Sequence, residues 1–351
     1  MLSDSTVYLD HACATPVRRE VLDKILPVLC NFTGAAGASH AASRRADVLI
    51  TEARRAVRSC LGAEQGSLRF TEGGGSASQS AILGLALSRG RNGHILTTRD
   101  EDEGVLAACR TLEILGFRVT YLEPGAQGAL DLSSVDSALC EDTVLATISG
   151  VNRFTGCVQP IRDLARLFRS RGILFHTEAS LSCILDLDVE SWGVDAVTLS
   201  THLIGGPQAV GALWMRPGLE LNHPCLECRD LAAIRGFAQA LCFLSDERSD
   251  WVSHFRNLRS CFLSSLSREM PGSLCCETAE NYPAILTVLT EGESPRELVY
   301  QLDRLGVCAA ETPYGVRFSF ARTTTREELE TAVKALARSL RRLDVLRTEA
   351  A

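Results

Sequence analysis

Two stretches of the sequence decide the fold: GILFHTE at residues 172–178 and DAVTLSTHL at residues 195–203. Each starts as a short apolar run and ends in polar residues, which is typical of a buried strand that leads into a loop. Amphipathic helical patterns alternate with such runs along the first two thirds of the chain. This alternation predicts βαβ units, and therefore an α/β fold with a mostly parallel sheet covered on both faces.

The predicted strands of this first region are short and rich in branched side chains. They span Ser67–Thr71, His94–Thr98, Arg118–Leu122, Thr143–Ser149, Ile173–Thr177, Asp195–Ser200 and Val210–Met215. The predicted helices between them include Arg44–Leu61, Ser76–Leu87, Glu103–Leu115 and Ile161–Arg171. In a sheet of this kind, the carboxyl ends of the strands face the usual ligand crevice.

The pattern changes near Asp230 and predicts a second, smaller α+β domain. A long helical stretch runs from there to Glu269. Two predicted strands and two predicted helices follow: Ala284–Leu289, Glu297–Leu305, Gly315–Ala321 and Thr325–Leu343. We therefore place a large domain at residues 1–245 and a small C-terminal domain at residues 246–351, with the option that the N-terminal segment packs on the small domain.

The composition is that of an ordinary globular protein. The 351 residues are 46% apolar and 23% charged, and the formal net charge of −7 leaves no basic footprint for nucleic acid. No apolar run is long enough to cross a bilayer, and Met1–Asp10 lacks the pattern of a signal peptide. We expect a cytoplasmic protein without a membrane partner. Its 14 cysteines should then be reduced and mostly buried.

Three polar segments follow predicted strands and are candidate ligand sites. The turn Gly73–Gly75 opens a helix whose free backbone N–H groups suit a phosphate, although a flexible turn explains it equally well. Glu178 could hold a pyridinium nitrogen protonated, while a helix cap or a paired core acid is the simpler interpretation. Ser200 and His202 could donate hydrogen bonds to an anion, or they could form a polar turn.

Two further segments have competing interpretations. Arg317 lies inside a predicted strand and has the chemistry to grip a carboxylate, but such an arginine is more often part of a structural salt bridge. Cys225 and Cys228 form a C-x-x-C motif near His223, which could be half of a zinc site or a redox pair. Because no second C-x-x-C completes a zinc site, we expect ordinary thiols and no metal.

Taken in order, these segments resemble the cysteine desulfurases of the class V aminotransferase group, which have pyridoxal-phosphate fold type I. The resemblance covers nearly the whole chain and rests on Tyr8-Leu9-Asp10, Ala14-Thr15-Pro16-Val17, Phe70-Thr71, Gly156, Gln159-Pro160-Ile161, Gly172–His176, Gly206-Pro207, Val210-Gly211-Ala212-Leu213 and Val316-Arg317-Phe318-Ser319. It implies a dimer. It also implies a cofactor pocket formed by Gly73, Gly74, Gly75, Asn152, Glu178, Ser200 and His202. The substrate carboxylate would bind Arg317.

The sequence differs from that family at the positions of the family's catalytic residues. The Schiff-base lysine of the family falls on Leu203, and the chain has only two lysines, Lys24 and Lys334. The histidine that stacks on the cofactor ring falls on Asp102. The loop that bears the nucleophilic cysteine should follow Ala310, but the residues there do not contain it. A pyridoxal enzyme uses its lysine amine both as a tether and as a proton shuttle, so we assign no catalytic residue.

Smaller departures surround these positions. The phosphate-binding threonine falls on Gly75, and the aspartate that pairs with the ring nitrogen falls on Glu178. The glutamine at the ring hydroxyl falls on Leu181, and an asparagine near the ring falls on Arg153. The loop that completes the partner subunit's phosphate site should lie within Leu221–Arg229 and is not recognisable there.

The combined losses favour a non-catalytic pseudoenzyme with an interaction or regulatory role. We expect no covalently bound cofactor, and a homodimer or a heterodimer with a related protein. Two alternatives stay open. One is an active pyridoxal-phosphate-dependent cysteine desulfurase or lyase in sulfur transfer or iron–sulfur cluster assembly, which would need a substitute for the lysine. The other is a non-covalent binder of a phosphate-bearing ligand at Gly73–Ser76, Ser200 and His202.

Overall fold

The computed structural model describes residues 6–124, 128–222, 225, 227–277, 280–290 and 292–350, with side chains of the last helix up to residue 343. The strands are β1 Val7–Tyr8, β2 Ser67–Thr71, β3 His94–Thr98, β4 Arg118–Leu122, β5 Thr143–Thr147, β6 Leu174–Glu178, β7 Ala196–Ser200, β8 Gly211–Met215, β9 Ile285–Leu289, β10 Val307–Cys308, β11 Ala310–Thr312 and β12 Gly315–Ser319. The helices are α1 Arg19–Asn31, α2 Ala41–Cys60, α3 Gly74–Ser88, α4 Glu103–Ile114, α5 Leu132–Ala138, α6 Ile161–Ser170, α7 Ser182–Leu185, α8 Val189–Trp192, α9 Leu231–Glu269, α10 Pro295–Arg304 and α11 Arg326–Ala350.

A seven-stranded sheet forms the centre of the large domain, in the order β2-β8-β7-β6-β5-β3-β4. The strands from β7 to β4 run parallel, whereas β8 pairs antiparallel with both β2 and β7. Every residue of β3, β7 and β8 is buried, which requires cover on both faces of the sheet. The predicted α/β fold with a mostly parallel sheet is therefore confirmed.

The boundaries of the elements differ from the prediction by a few residues where a side chain intervenes. β5 ends at Thr147 instead of Ser149, because the Ser149 N–H donates to the Glu101 carboxylate at 3.0 Å. α2 begins three residues early, since His40 Nδ1 accepts from the Ser43 N–H at 3.1 Å and caps the helix. Such side-chain caps depend on contacts that the hydrophobic pattern does not record.

The N-terminal segment packs on the small domain. β1 runs parallel to β10, and the Val7 N–H donates to the Gly306 carbonyl at 2.8 Å. Next to this pair, β11, β12 and β9 form an antiparallel sheet in that order. Asp10 bridges to Ser319 of β12. The small domain therefore contains residues from both ends of the chain.

The 39-residue helix α9 connects the two parts of the molecule. Asp230 caps its start by accepting from the N–H groups of Ala232 and Ala233, both at 2.9 Å. The helix continues through residues 245 and 246, so the predicted domain boundary falls inside a single helix. None of the helices in the described ranges is both long and apolar enough to cross a membrane.

Candidate functional site

A cavity of about 230 Å³ opens at the carboxyl ends of β3, β5, β6 and β7. Six separate segments of the chain meet there. Its lining residues are Ala12, Cys13, Gly74, Gly75, Asp100, Asp102, Ser149, Val151, Arg153, Glu178, Ser180, Leu181, Ser200, His202 and Leu203. Ligands of α/β proteins bind at this edge of a parallel sheet, so the cavity is the candidate functional site.

The structure brings most of the predicted site residues together. Those that line the cavity are Gly74, Gly75, Glu178, Ser200, His202 and Leu203. The positions at which the sequence departs from the family, Asp102, Arg153 and Leu181, line it as well. Gly73, Asn152 and Arg317 do not contribute to the described lining.

Glu178 is hydrogen-bonded to Ser180, and the Ser180 hydroxyl lies next to that of Ser200 at the cavity. Its Oε1 accepts from the Ser180 N–H at 3.0 Å and from the Ser180 hydroxyl. The Ser180 Oγ in turn lies 3.0 Å from Ser200 Oγ and accepts from the Ser200 N–H at 2.8 Å. Burial, with the negative charges of Asp102 and Glu101, raises the pKa of Glu178 to about 7. The hydrogen bonds from Ser180 lower the pKa but do not offset these effects, so the carboxyl group is only partly ionised at neutral pH.

A second carboxylate, Glu101, lies directly behind the lining. It accepts from the Ser149 N–H at 3.0 Å, from the Thr98 hydroxyl at 3.0 Å and from the Ser149 hydroxyl. Burial is the main reason why the pKa of Glu101 rises to about 7. These hydrogen bonds fix the position of Ser149, which lines the cavity.

Glycines at the starts of α3 and α4 allow these two helices to lie close to each other, and α3 to lie close to β7. Gly73 has a φ of +132°, a conformation that strains residues with a side chain. A Cβ on Gly74 would lie 3.0 Å from Ser200 Cβ, and a Cβ on Gly104 would lie 2.5 Å from Gly75 Cα. The first N–H groups of a helix lack acceptors within the helix, so this edge of the cavity offers donors to an anion.

Acidic residues outnumber basic ones around the same edge. Asp102 caps α4 by accepting from the Gly104 N–H at 3.0 Å, and its other oxygen lies 2.8 Å from Arg153 Nη1. Burial lowers the pKa of His202, with Arg153 acting in the same direction and Asp102 against it. His202 is therefore neutral at neutral pH. Asp100 adds a further carboxylate to the lining.

The guanidinium of Arg317 binds other groups of the protein. The sequence had predicted that it would bind a substrate carboxylate. The residue is 2% exposed. Its Nη2 lies 2.6 Å from Asp10 Oδ1 and 3.2 Å from Cys13 Sγ, and its Nη1 donates to the Arg153 carbonyl at 2.9 Å. Arg317 therefore forms a structural salt bridge, the alternative considered from the sequence. Its partner, the Asp10 carboxylate, is 307 positions away in the sequence.

Asn152 likewise has partners inside the chain and lies off the cavity lining. Its Oδ1 accepts from the N–H groups of Phe154 and Thr155, at 2.9 and 3.0 Å. Its Nδ2 donates to Asp100 Oδ2 at 3.3 Å. The same Asp100 oxygen accepts from the Tyr314 hydroxyl at 2.6 Å. Asn152 therefore shapes a tight turn and positions a lining carboxylate.

Several lining residues were missed from the sequence, chiefly Cys13, Asp100, Ser149 and Ser180. Asp100, Ser149 and Ser180 each follow the end of a parallel strand by two residues. The rule that ligand sites form at the carboxyl ends of parallel strands could have identified these three. Cys13 carries no such signal, since it reaches the cavity from a turn after β1.

The cysteines give no sign of a metal centre. Cys228 is buried and Cys225 is half-buried, while His223 lies outside the described residues. Within the described part of the chain, no group of three potential His, Cys, Asp or Glu ligands is suited to a metal ion. Only five of the 14 cysteines are fully buried. The prediction that most are buried is therefore wrong, because several lie on the partly exposed faces of helices.

Neither of the two lysines of the chain lines this cavity. Lys24 is on α1 and Lys334 is on α11, and both are exposed. The residue that follows His202 in the cavity is the half-buried Leu203. The residues that line the cavity therefore include guanidinium, imidazole, hydroxyl and thiol groups but no primary amine.

Two solved structures share this fold over nearly the full chain. A NifS-like protein superposes with a TM-score of 0.88 at 24% identity, covering 95% of this chain and 99% of that one. The apo structure of a cysteine desulfurase from Thermococcus onnurineus NA1 gives a TM-score of 0.82 at 17% identity, covering 95% and 94%. The molecule has pyridoxal-phosphate fold type I, with a mostly parallel sheet and a smaller C-terminal domain.

Sequence comparison defines the family. The profile of the Aminotransferase class-V family matches residues 7–227. Cysteine desulfurase IscS of Pectobacterium carotovorum subsp. carotovorum (strain PC1) is 31% identical, over 96% of this chain and 93% of that protein. Cysteine desulfurase IscS of Buchnera aphidicola subsp. Schizaphis graminum (strain Sg) is 30% identical, over 97% and 94%. The chain belongs to the class-V aminotransferase family, and within it the chain is cysteine desulfurase-like.

Proposed function

We propose that this chain is a non-catalytic member of the cysteine desulfurase-like group, with an interaction or regulatory role. The observation that carries the proposal is Leu203 in the cavity, at the position to which the family resemblance assigns the Schiff-base lysine. Leucine cannot form an imine or move a proton. Because Lys24 and Lys334 are exposed on α1 and α11, neither supplies the missing amine.

The other lining groups also fit a covalently held pyridoxal phosphate poorly. Asp102, where the resemblance implies a ring-stacking histidine, has no aromatic face and pairs with Arg153 at 2.8 Å. Asp100, Asp102 and Glu178 surround the space with carboxyl groups, which disfavour a dianionic phosphate. We therefore assign no step of a pyridoxal reaction to this chain.

The small domain supplies a second, independent argument. β11 and β12 are joined by the two-residue turn Pro313-Tyr314, and Thr312 pairs with Gly315 across it. A turn of this length cannot contain a mobile catalytic loop. Cys308 precedes the hairpin in β10, where its backbone pairs with Tyr8. The proposal therefore assigns no nucleophilic cysteine to this region.

The test is whether the purified chain forms an imine with pyridoxal phosphate. The protein is incubated with the cofactor, reduced with borohydride and digested for mass spectrometry. We expect no pyridoxyl adduct on Lys24 or Lys334 and no release of sulfide from cysteine. Leu203→Lys is the matched control, since it returns an amine to the cavity, and it should gain a reducible adduct on the introduced side chain. An adduct on a native lysine, together with sulfide release, would instead establish an active enzyme.

Dimer formation is part of the proposal, because the fold and family resemblance imply it. Native mass spectrometry of the purified chain should show a homodimer. A monomer that assembles only when an active relative is added would indicate a heterodimer. A monomer under both conditions would contradict this part of the proposal.

A second candidate is non-covalent binding of a phosphate-bearing ligand. The observation in its favour is the N-terminus of α3, where Gly74 and Gly75 line the cavity beside Ser200. Calorimetric titration with pyridoxal phosphate and with nucleotides tests it. Saturable binding that Gly75→Asp removes would support this candidate, whereas the absence of heat with every ligand would reject it.

A further inference from the structure

Two cysteines that are distant in sequence meet on the surface of the large domain. Cys60 is the last residue of α2, and Cys242 lies in α9, 182 positions further along. Their sulfur atoms are 3.5 Å apart, and both residues are half-buried. Neither residue lines the cavity described above, so this pair is independent of the proposed function.

We propose that Cys60 and Cys242 form a dithiol modification site, which a small hydroperoxide oxidises to an intramolecular disulfide. A disulfide has an S–S distance of about 2.05 Å, so the two sulfur atoms need to approach by about 1.5 Å. Rotation of the two side chains can supply most of this movement. Since α2 and α9 pack against each other, the folded chain holds the thiols together, and partial exposure admits a small oxidant.

The surroundings give the two thiols different roles. The hydrogen bond from Cys60 lowers the pKa of Cys242 to about 7, and the positive charge of Arg235 acts in the same direction. Burial and the charge of Asp246 oppose this effect. The same hydrogen bond and burial raise the pKa of Cys60. Cys242 is therefore the nucleophile, and Cys60 is the resolving thiol.

The reaction is balanced with a hydroperoxide as the only co-reactant. The Cys242 thiolate attacks the peroxide and its O–O bond breaks. A sulfenic acid forms, and hydroxide or an alkoxide leaves and takes up the proton that the Cys242 thiol had released. The Cys60 sulfur then attacks the sulfenic sulfur, the S–O bond breaks, and the hydroxyl leaves with the Cys60 proton as water. The two sulfur atoms together lose two electrons, which the peroxide gains.

The cross-link would tie α2 to α9, the helix that passes from the large domain into the small one. It would close a loop of more than half the chain, which strongly restricts the unfolded state. The oxidised protein should therefore have a Tm higher by several degrees than the reduced protein, and dithiothreitol should reverse the shift.

The experiment uses the full chain treated with an equimolar amount of hydrogen peroxide. Remaining thiols are blocked with N-ethylmaleimide, and a non-reducing digest is analysed by mass spectrometry. We expect a linked peptide pair that contains Cys60 and Cys242, lighter by two hydrogen masses than the separate peptides. Wild-type protein alone answers the question, so the test does not depend on any variant folding.

Three variants sharpen the result. Cys242→Ser should abolish the linked peptide and leave Cys60 unoxidised. Cys60→Ser should abolish it too but leave a sulfenic acid on Cys242 that dimedone traps. Cys30→Ser removes an exposed thiol of α1 and should leave the yield unchanged. Oxidation confined to other cysteines, or over-oxidation of Cys242 without any cross-link in the wild type, would overturn the proposal.

Discussion

Glu178 and Arg317 both carry ionisable groups for which the sequence predicts ligand binding. In the structure, the hydrogen-bond partner of Glu178 is neutral, whereas Arg317 has a partner of opposite charge. Glu178 accepts hydrogen bonds from Ser180, a neutral residue, and lines the cavity. Arg317 is 2% exposed and forms an ion pair with Asp10 at 2.6 Å. Burial of a charge is tolerated when a counter-charge accompanies it, and otherwise the pKa shifts.

The Arg317 cluster supports the fold, whereas the Glu178 cluster keeps a group that can still change its ionisation state. The Arg317 cluster joins β12 to the N-terminal segment and to the Arg153 carbonyl, so its charges are already compensated. The Glu178 cluster retains a carboxyl group whose pKa is raised to about 7. A group that is partly ionised at neutral pH can respond to a bound ligand, whereas a closed ion pair cannot.

The largest effect should come from breaking the Arg317 cluster. Arg317→Met leaves Asp10 without its cation and the Arg153 carbonyl without a donor, which should lower the free energy of unfolding by about 3 kcal/mol. Urea denaturation at neutral pH measures the loss. Asp10→Asn is the partner variant, and the double variant should lose clearly less than the sum of the two single losses. Additive losses would mean that the two side chains do not stabilise each other.

The second effect concerns the pH dependence of the Glu178 cluster. An acid whose pKa is raised from about 4.5 to about 7 on folding destabilises the folded state as pH rises through this interval. Glu178→Gln keeps acceptor and donor atoms but cannot ionise. Its free energy of unfolding should match that of the wild type near pH 4 and exceed it by about 3 kcal/mol near pH 8. Equal differences at both pH values, measured by urea titration, would show that Glu178 has an ordinary pKa.

An intermediate effect is expected at Asp100, which like Glu178 accepts from neutral donors. Tyr314→Phe removes the hydroxyl that donates to Asp100 at 2.6 Å. The lost hydrogen bond should cost about 1 kcal/mol of unfolding free energy in thermal or urea denaturation. Tyr300→Phe serves as the control, because Tyr300 is exposed and its variant should be unchanged.

The smallest effect on stability should arise at Asp102, whose charge contributes to the raised pKa of Glu178. Asp102→Asn keeps the cap of α4 and loses only the partly exposed pair with Arg153, which is worth about 0.5 kcal/mol. It should nevertheless lower the pKa of Glu178 and flatten the fall in stability between pH 5 and 8. Asp102→Ala loses the cap as well, at about 1 kcal/mol more. An unchanged pH profile in Asp102→Asn would assign the raised pKa of Glu178 to burial and Glu101, without a contribution from Asp102.

The fold was largely predictable because its signals are local. The strands β2, β3 and β4 have the predicted bounds, since each is an apolar run bounded by turn residues. The pairing of β1 with β10 was not predictable: the two strands have two residues each and lie 300 positions apart in the sequence. A hydrophobic pattern within a short stretch of sequence does not indicate which distant segment a strand pairs with.

The site was predictable in its location and less so in its contacts. Glu178, Ser200 and His202 line the cavity because each lies at or just beyond the end of a parallel strand. Arg317 and Asn152 have polar side chains that could serve either a ligand or the protein itself. Which of these they serve depends on distant groups such as Asp10 and Asp100, whose positions only the folded chain defines.

The pairing of β1 with β10 has a consequence for how the chain reaches its native state. The small domain cannot be completed from consecutive residues, because Val7 and Asp10 are built into it beside residues from beyond 300. During synthesis, the first segment must wait until almost the entire polypeptide has emerged. A fragment cut at residue 246 would start inside a helix and would lack the carboxylate that neutralises Arg317. Contacts between such remote segments slow folding, so closing the two ends together should be among the last events of folding.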